Sequence, residues 1–144
     1  EEDDEIIASI KTVAPSRTFL EKALLLSEEL QKEEPRSLRM SRHLYDLDRL
    51  MDTEFAQKAL NDGKLYKAIV EHRRRFYHLG YVDYDKDYPT MINFIPQNEV
   101  MKAYRLDYES NMVDGYIYGK AKAFDELMDR MEKLLQHFRQ IVIS

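Results

Sequence analysis

Cysteine is absent from the 144 residues. That excludes disulfides and thiolate metal sites, and it leaves the redox compartment unassigned. Glycine is scarce at four residues. None of the four falls in a Walker loop, a GxGxxG turn or a Gly-x-Ser-x-Gly elbow. The four histidines form no HExxH or other paired metal spacing, so no metal ligands are assigned. No apolar run approaches the roughly 18 residues of a membrane helix. No signal peptide is visible. The expectation is a cytoplasmic protein with no membrane contact. A starting methionine is also missing, which predicts an excised, tagged or processed piece of a longer protein.

Apolar residues make up 44% of the chain and charged residues 34%, a balance that suits one folded domain with a modest core. The formal net charge of −5 is misleading. Glu1-Glu2-Asp3-Asp4-Glu5 supply all of it, and without them 22 acids face 22 lysines and arginines. Basic patches on a neutral body can still meet an anionic ligand.

Periodicity predicts an all-α fold, a compact bundle of five or six helices with a short strand at Ile6–Val13 before Pro15. A first helix over about 17–33, capped by Ser16 or Thr18, carries Phe19, Ala23, Leu26 and Leu30 and ends at Pro35. A second over about 39–51 faces Leu44, Leu47, Leu50 and Met51 to the core, and Asp52-Thr53 caps a short third to about 60. Asn61-Asp62-Gly63 is a turn signal. The next helix, about 64–79, places Leu65, Ile69, His72 and Phe76 on one face, with Gly80 as its C′ residue. Residues 81–95 read as a long ordered loop. A helix over about 97–112 carries Val100, Met101, Tyr104 and Tyr108, and Gly115 and Gly119 enclose a loop or short turn. The last helix, about 121–138, repeats Phe124, Leu127, Met128, Met131, Leu134, Leu135 and Phe138. No internal repeat or low-complexity segment interrupts the chain.

Three constellations carry chemistry. Arg39, Arg42, His43 and Asp46 share one helical stripe. Arginine suits phosphate because its planar fork bonds two oxygens at once. An aspartate beside it can bind Mg²⁺, or orient or deprotonate an attacking hydroxyl. An i, i+4 pair of Arg42 with Asp46 accounts for the same spacing without any ligand. Lys22 lies in an otherwise apolar segment, where it either meets a triphosphate or snorkels to solvent. His72-Arg73-Arg74-Arg75-Phe76-Tyr77-His78 combines cations with aromatics, as an RNA backbone and an unstacked base require, or forms a solvated helix face.

The segments Arg17-Thr18-Phe19-Leu20-Glu21-Lys22 and Ser41-Arg42-His43-Leu44-Tyr45-Asp46-Leu47 resemble the "TFxEK" and "SRHxxDL" segments of abortive-infection nucleotidyltransferase toxins of the AbiEii/AbiGii type. The resemblance runs on co-linearly through Asn93–Pro96, Leu106–Met112, Ile117–Gly119 and Phe124–Met128. Ser27 stands where the family often has a histidine, and Asp48 where it often has an aromatic.

That resemblance implies a polymerase-β-type nucleotidyltransferase that moves an NMP from an NTP to an acceptor. Lys22 and Asp46 would be catalytic, and Arg17, Arg39, Arg42 and His43 would hold nucleotide phosphate or RNA. The implied partners are NTP, an RNA acceptor such as the tRNA 3′ end, and an antitoxin encoded nearby. The implied cofactor is Mg²⁺, held in the family by two aspartates after a Gly-Ser turn. No Gly-Ser dipeptide occurs in this chain. Residues 1–14 are therefore expected to be an acidic lead and the end of a nucleotidyltransferase core, and residues 15–144 its helical C-terminal domain. Such a fragment would bind no Mg²⁺ and be inactive alone. A non-catalytic helical module that binds RNA or protein is the alternative reading.

Overall fold

A computed structural model of the chain describes residues 2–112 and 121–143, with side chains from residue 15 onward. Among the described residues there are six α-helices and no strand: α1 (Glu2–Glu29), α2 (Ser41–Met51), α3 (Glu54–Leu60), α4 (Gly63–Tyr77), α5 (Asn98–Asp107) and α6 (Phe124–Arg139). A 3-10 turn spans Tyr84–Asp87, and α5 runs into a π-turn over Tyr108–Met112. The expected loop around Gly115 and Gly119, and the Ile117–Gly119 match, lie outside the described residues.

The bundle is built on α1. Phe19, Leu20, Ala23, Leu24 and Leu26 are all fully buried, so this helix is apolar on most of its circumference past Pro15. Against it pack Leu44 and Leu47 of α2, Ala56 and Ala59 of α3, and Tyr66, Ile69 and Val70 of α4, while α6 lies along α2 and reaches α1 through Phe138. Phe138 of α6 is the hub. Its ring lies 5.6 Å from Phe19, 6.3 Å from Tyr66 and 5.3 Å from Phe94. Tilted and edge-on contacts of this kind add to the stabilisation from burial. All seven α6 residues picked out by spacing are buried.

Three expectations fail on the backbone. Residues 6–13 are helical, not a strand, and α1 continues through Pro15. Ile6, Ile10 and Val13 stand at i, i+4 and i+7, a helical spacing that the looser alternation obscured. Proline there removes one backbone donor without ending the helix. Ser16 consequently caps nothing. Its hydroxyl donates to the Phe55 carbonyl at 3.0 Å and ties α1 to α3.

The third failure concerns α4. Its buried stripe is Tyr66, Ile69, Val70 and Arg73, while His72 and Phe76 face solvent. Arg73 goes inward because Glu28 of α1 takes its guanidinium in a two-point bond, Nε at 2.7 Å and Nη2 at 2.6 Å. The helix ends on His78 in the left-handed conformation at φ 48°, so the C-terminal role expected of Gly80 belongs to His78. Caps at the other junctions follow the sequence: Thr53 accepts from the Ala56 N–H, and Asp62 from the Leu65 N–H at 3.0 Å.

Candidate nucleotide site

One stripe of α1 escapes the core. Thr18, Glu21, Lys22 and Leu25 stand at i, i+3, i+4 and i+7, and α2 presents Arg42, His43 and Asp46 across from them. Lys22 Nζ lies 3.0 Å from Asp46 Oδ2, with side chains 23% and 21% exposed. Solvent therefore screens this ion pair only in part. Asp46 thus reaches across to α1.

Arg39 is not on the helix with them. It sits just before α2, in a left-handed backbone at φ 63°. That turn is held from a distance. Asp107, at the end of α5, accepts from the N–H of Arg39 at 2.7 Å, from the N–H of Ser41 at 3.1 Å, and from the Ser41 hydroxyl. Met40, in the cap position, offers no side-chain bond, so Asp107 serves as the cap for α2. Burial pushes the Asp107 carboxyl up. The bonds from Ser41, Arg39 and Asn111 outweigh that and hold it below the usual carboxylate range.

The turn and α2 together open a cleft of about 370 Å³ lined by Arg36, Leu38, Arg39, Arg42 and His43. A neighbouring cleft of about 280 Å³ has Thr18, Lys22, Leu25, His43 and Tyr77 in its wall. His43 belongs to both. Its Nδ1 is buried and meets no partner. Burial, and then the charge of Lys22, push its pKa below the ordinary 6.5, with Arg42 and Arg36 adding to the effect and Asp46 opposing it. The imidazole is neutral between several cations.

Of the predicted residues, Lys22, Arg39, Arg42, His43 and Asp46 therefore come together. Arg17 does not line either cleft; its Nε stands 3.6 Å from Glu21 Oε2, one turn before Lys22. Spacing missed Arg36 and Asp107, and it placed Tyr77 only in the His72–His78 run. Arg36 follows Pro35, where nothing periodic marks it, and its N–H is anchored by Glu29 at 2.8 Å. Asp107 lay inside a recognised segment, but its role depends on a contact 68 residues back in the chain. Ser27 accepts from the Asn93 N–H at 3.2 Å and so fastens the Asn93–Pro96 segment to α1. Asp48 is buried against Lys122, at 3.1 Å, and Arg130.

The family described as "Nucleotidyl transferase AbiEii toxin, Type IV TA system" matches residues 1–130. The chain belongs to this family. Both AbiEii segments, from Arg17 and from Ser41, fall within the match, and they contribute Thr18, Glu21 and Lys22, and Arg42 and His43, to the clefts. Membership in a toxin–antitoxin family implies an antitoxin partner. No curated protein and no solved structure matches the chain. Among the described residues no helix is long and apolar enough to cross a membrane.

An AbiEii-type reaction implies Mg²⁺, which takes one or two carboxylates together with substrate phosphates. No three His, Asp or Glu side chains among them come together as a metal site, and Asp46 is already engaged by Lys22. What the arrangement offers instead is a concentrated set of anion ligands around one carboxylate.

Proposed function

We propose that residues 18–46 form the phosphate-binding side of a nucleotidyl transfer site that moves an NMP from an NTP to an RNA acceptor, the tRNA 3′ end being the acceptor the family resemblance implies. The observation that carries this reading is the Lys22–Asp46 pair at 3.0 Å, beside a cleft with three arginines in its wall. Arg36, Arg39 and Arg42 bind triphosphate oxygens through forked donors, and Lys22 adds a compact charge. The acceptor hydroxyl forms a bond to the α-phosphorus, the α–β bridging bond breaks, and pyrophosphate leaves with the bridging oxygen. Asp46, freed as Lys22 turns to phosphate, takes up the hydroxyl proton. His43 stays neutral and fills the wall between the two clefts. An antitoxin would act on this protein or its product.

The test is transfer of labelled nucleotide to RNA by the intact protein with each NTP in turn. Lys22→Ala and Asp46→Ala should each lower the rate by roughly a hundredfold, the scale of losing a transition-state electrostatic contact. Full activity in both variants would sink the assignment.

A further inference from the structure

Apart from Arg73 and Tyr77, the C-terminal half of α4 stands outside the site just described, yet its exposed face has the chemistry of a nucleic-acid surface. Phe76 is 65% exposed and Tyr77 46% exposed, although both are large rings on a charged helix. His72 lies against Phe76 with ring centroids 4.7 Å apart, tilted at 39°, and meets Tyr77 edge-on at 6.2 Å. Tyr77 is steadied by the Arg73 guanidinium 4.8 Å from its ring centre. Arg73 is itself locked to buried Glu28, so the aromatic cluster rests on a fixed base.

The cations here differ in availability. Arg73 is committed to the interior, and Arg74 reaches Asp85 at 2.6 Å. Arg75 is exposed, and among the described residues no carboxylate pairs with it. His72, Arg75, Phe76, His78 and Tyr88 border an open hollow of about 780 Å³, with Glu71 also on its rim. Tyr77 stands between the hollow and the nucleotide site: its ring meets His72, which borders the hollow, and it lines the Lys22 cleft.

We propose that this face of α4 binds a single-stranded RNA segment, one base stacking on the His72–Phe76 pair and a phosphate meeting Arg75. Exposed rings accept bases of any sequence because every base has a π-face, and a nearby guanidinium supplies the backbone contact. Stacking and a phosphate contact carry no base readout, so this mode of binding is indifferent to sequence. The inference rests on the nucleotidyl-transfer reading only in that it gives the acceptor a route toward Lys22 and Asp46.

The experiment is fluorescence anisotropy of a labelled ten-nucleotide oligouridine with the intact protein and no NTP. Phe76→Ala and Arg75→Ala should each weaken binding at least about fivefold, the lower end of losing one stacked base or one phosphate contact, and Phe76→Trp should keep it. Lys22→Ala should bind the oligonucleotide as the wild type does. Wild-type affinity in the Phe76→Ala, Arg75→Ala double variant would overturn the proposal, as would no binding by the wild type at low salt. Loss with Lys22→Ala alone would also overturn it, by placing the strand in the nucleotide cleft. Because NTP is left out, a failed transfer assay cannot produce or mask any of these outcomes. Thermal melting of the variants should match the wild type, since both side chains point into solvent.

Discussion

Arg39 carries the least relaxed backbone of the nucleotide site. A side chain at φ 63° costs about 1 kcal/mol or more that glycine does not incur. The bond that holds this turn is made by the Arg39 N–H, so glycine would keep it. Arg39→Gly should therefore leave the thermal midpoint unchanged or slightly raised, while triphosphate affinity falls several-fold. Calorimetric binding beside thermal melting separates the two effects; a large drop in melting temperature would contradict the account. His43 makes a second residue-scale prediction. Its folded pKa lies below that of the unfolded chain, so as pH falls the unfolded chain takes the proton first. Stability present above about pH 6.5 should be lost on acidification, and His43→Gln should flatten that part of the profile. NMR titration showing His43 at or above 6.5 would refute burial beside Lys22 as the cause. At this scale the sequence was informative where the chemistry is carried by adjacent residues, as in Ser41–Asp46. The unpartnered imidazole nitrogen of His43 depends on packing and could not be read from spacing.

Among the helix starts with a side-chain cap, those of α3 and α4 are settled by a neighbour in sequence and that of α2 by a remote partner, and only the first kind was legible. Thr53 and Asp62 cap their own helices and were visible as turn signals. α2 starts on bonds from Asp107, and periodicity carries no trace of a cap donated by another helix. The same reason explains α4. A Tyr66–Arg73 stripe looks wrong for burial until Glu28 arrives from α1 to neutralise the guanidinium. Asp107→Ala should destabilise the fold by about 1–3 kcal/mol, since it strands the buried N–H and hydroxyl of Ser41 and the part-buried N–H of Arg39. Urea denaturation measures this, and a change under about 0.5 kcal/mol would mean that water or Asn111 replaces the carboxylate. Because the lost cap shapes the turn bearing Arg39, triphosphate binding should weaken in the same variant.

Across the whole molecule, one buried polar knot ties α1, α4 and the 3-10 turn together. Arg73 bridges to Glu28, and Asp87 is fully buried beside them. The Asp87 oxygens meet no donor of the protein, while Glu28 lies within bonding reach, so a proton on Asp87 supplies the missing link. Burial, then the Glu28 carboxylate, push the Asp87 carboxyl up to about 9. The unfolded chain ionises Asp87 near 4, so the folded state holds the extra proton between these values. Stability from this group is greatest below about pH 4 and is lost as pH rises toward about 9. Asp87→Asn keeps a donor at every pH and should remove that alkaline decline, which denaturation at pH 6 and pH 9 would show. An unchanged slope would place the proton elsewhere. The long reach of Asp107 also has a bearing on how the protein is made. A ribosome finishes Ser41 some 66 residues before it adds the aspartate that caps α2. Until then the turn bearing Arg39 lacks the bonds that shape it, so the growing chain cannot complete the proposed phosphate cleft early in translation.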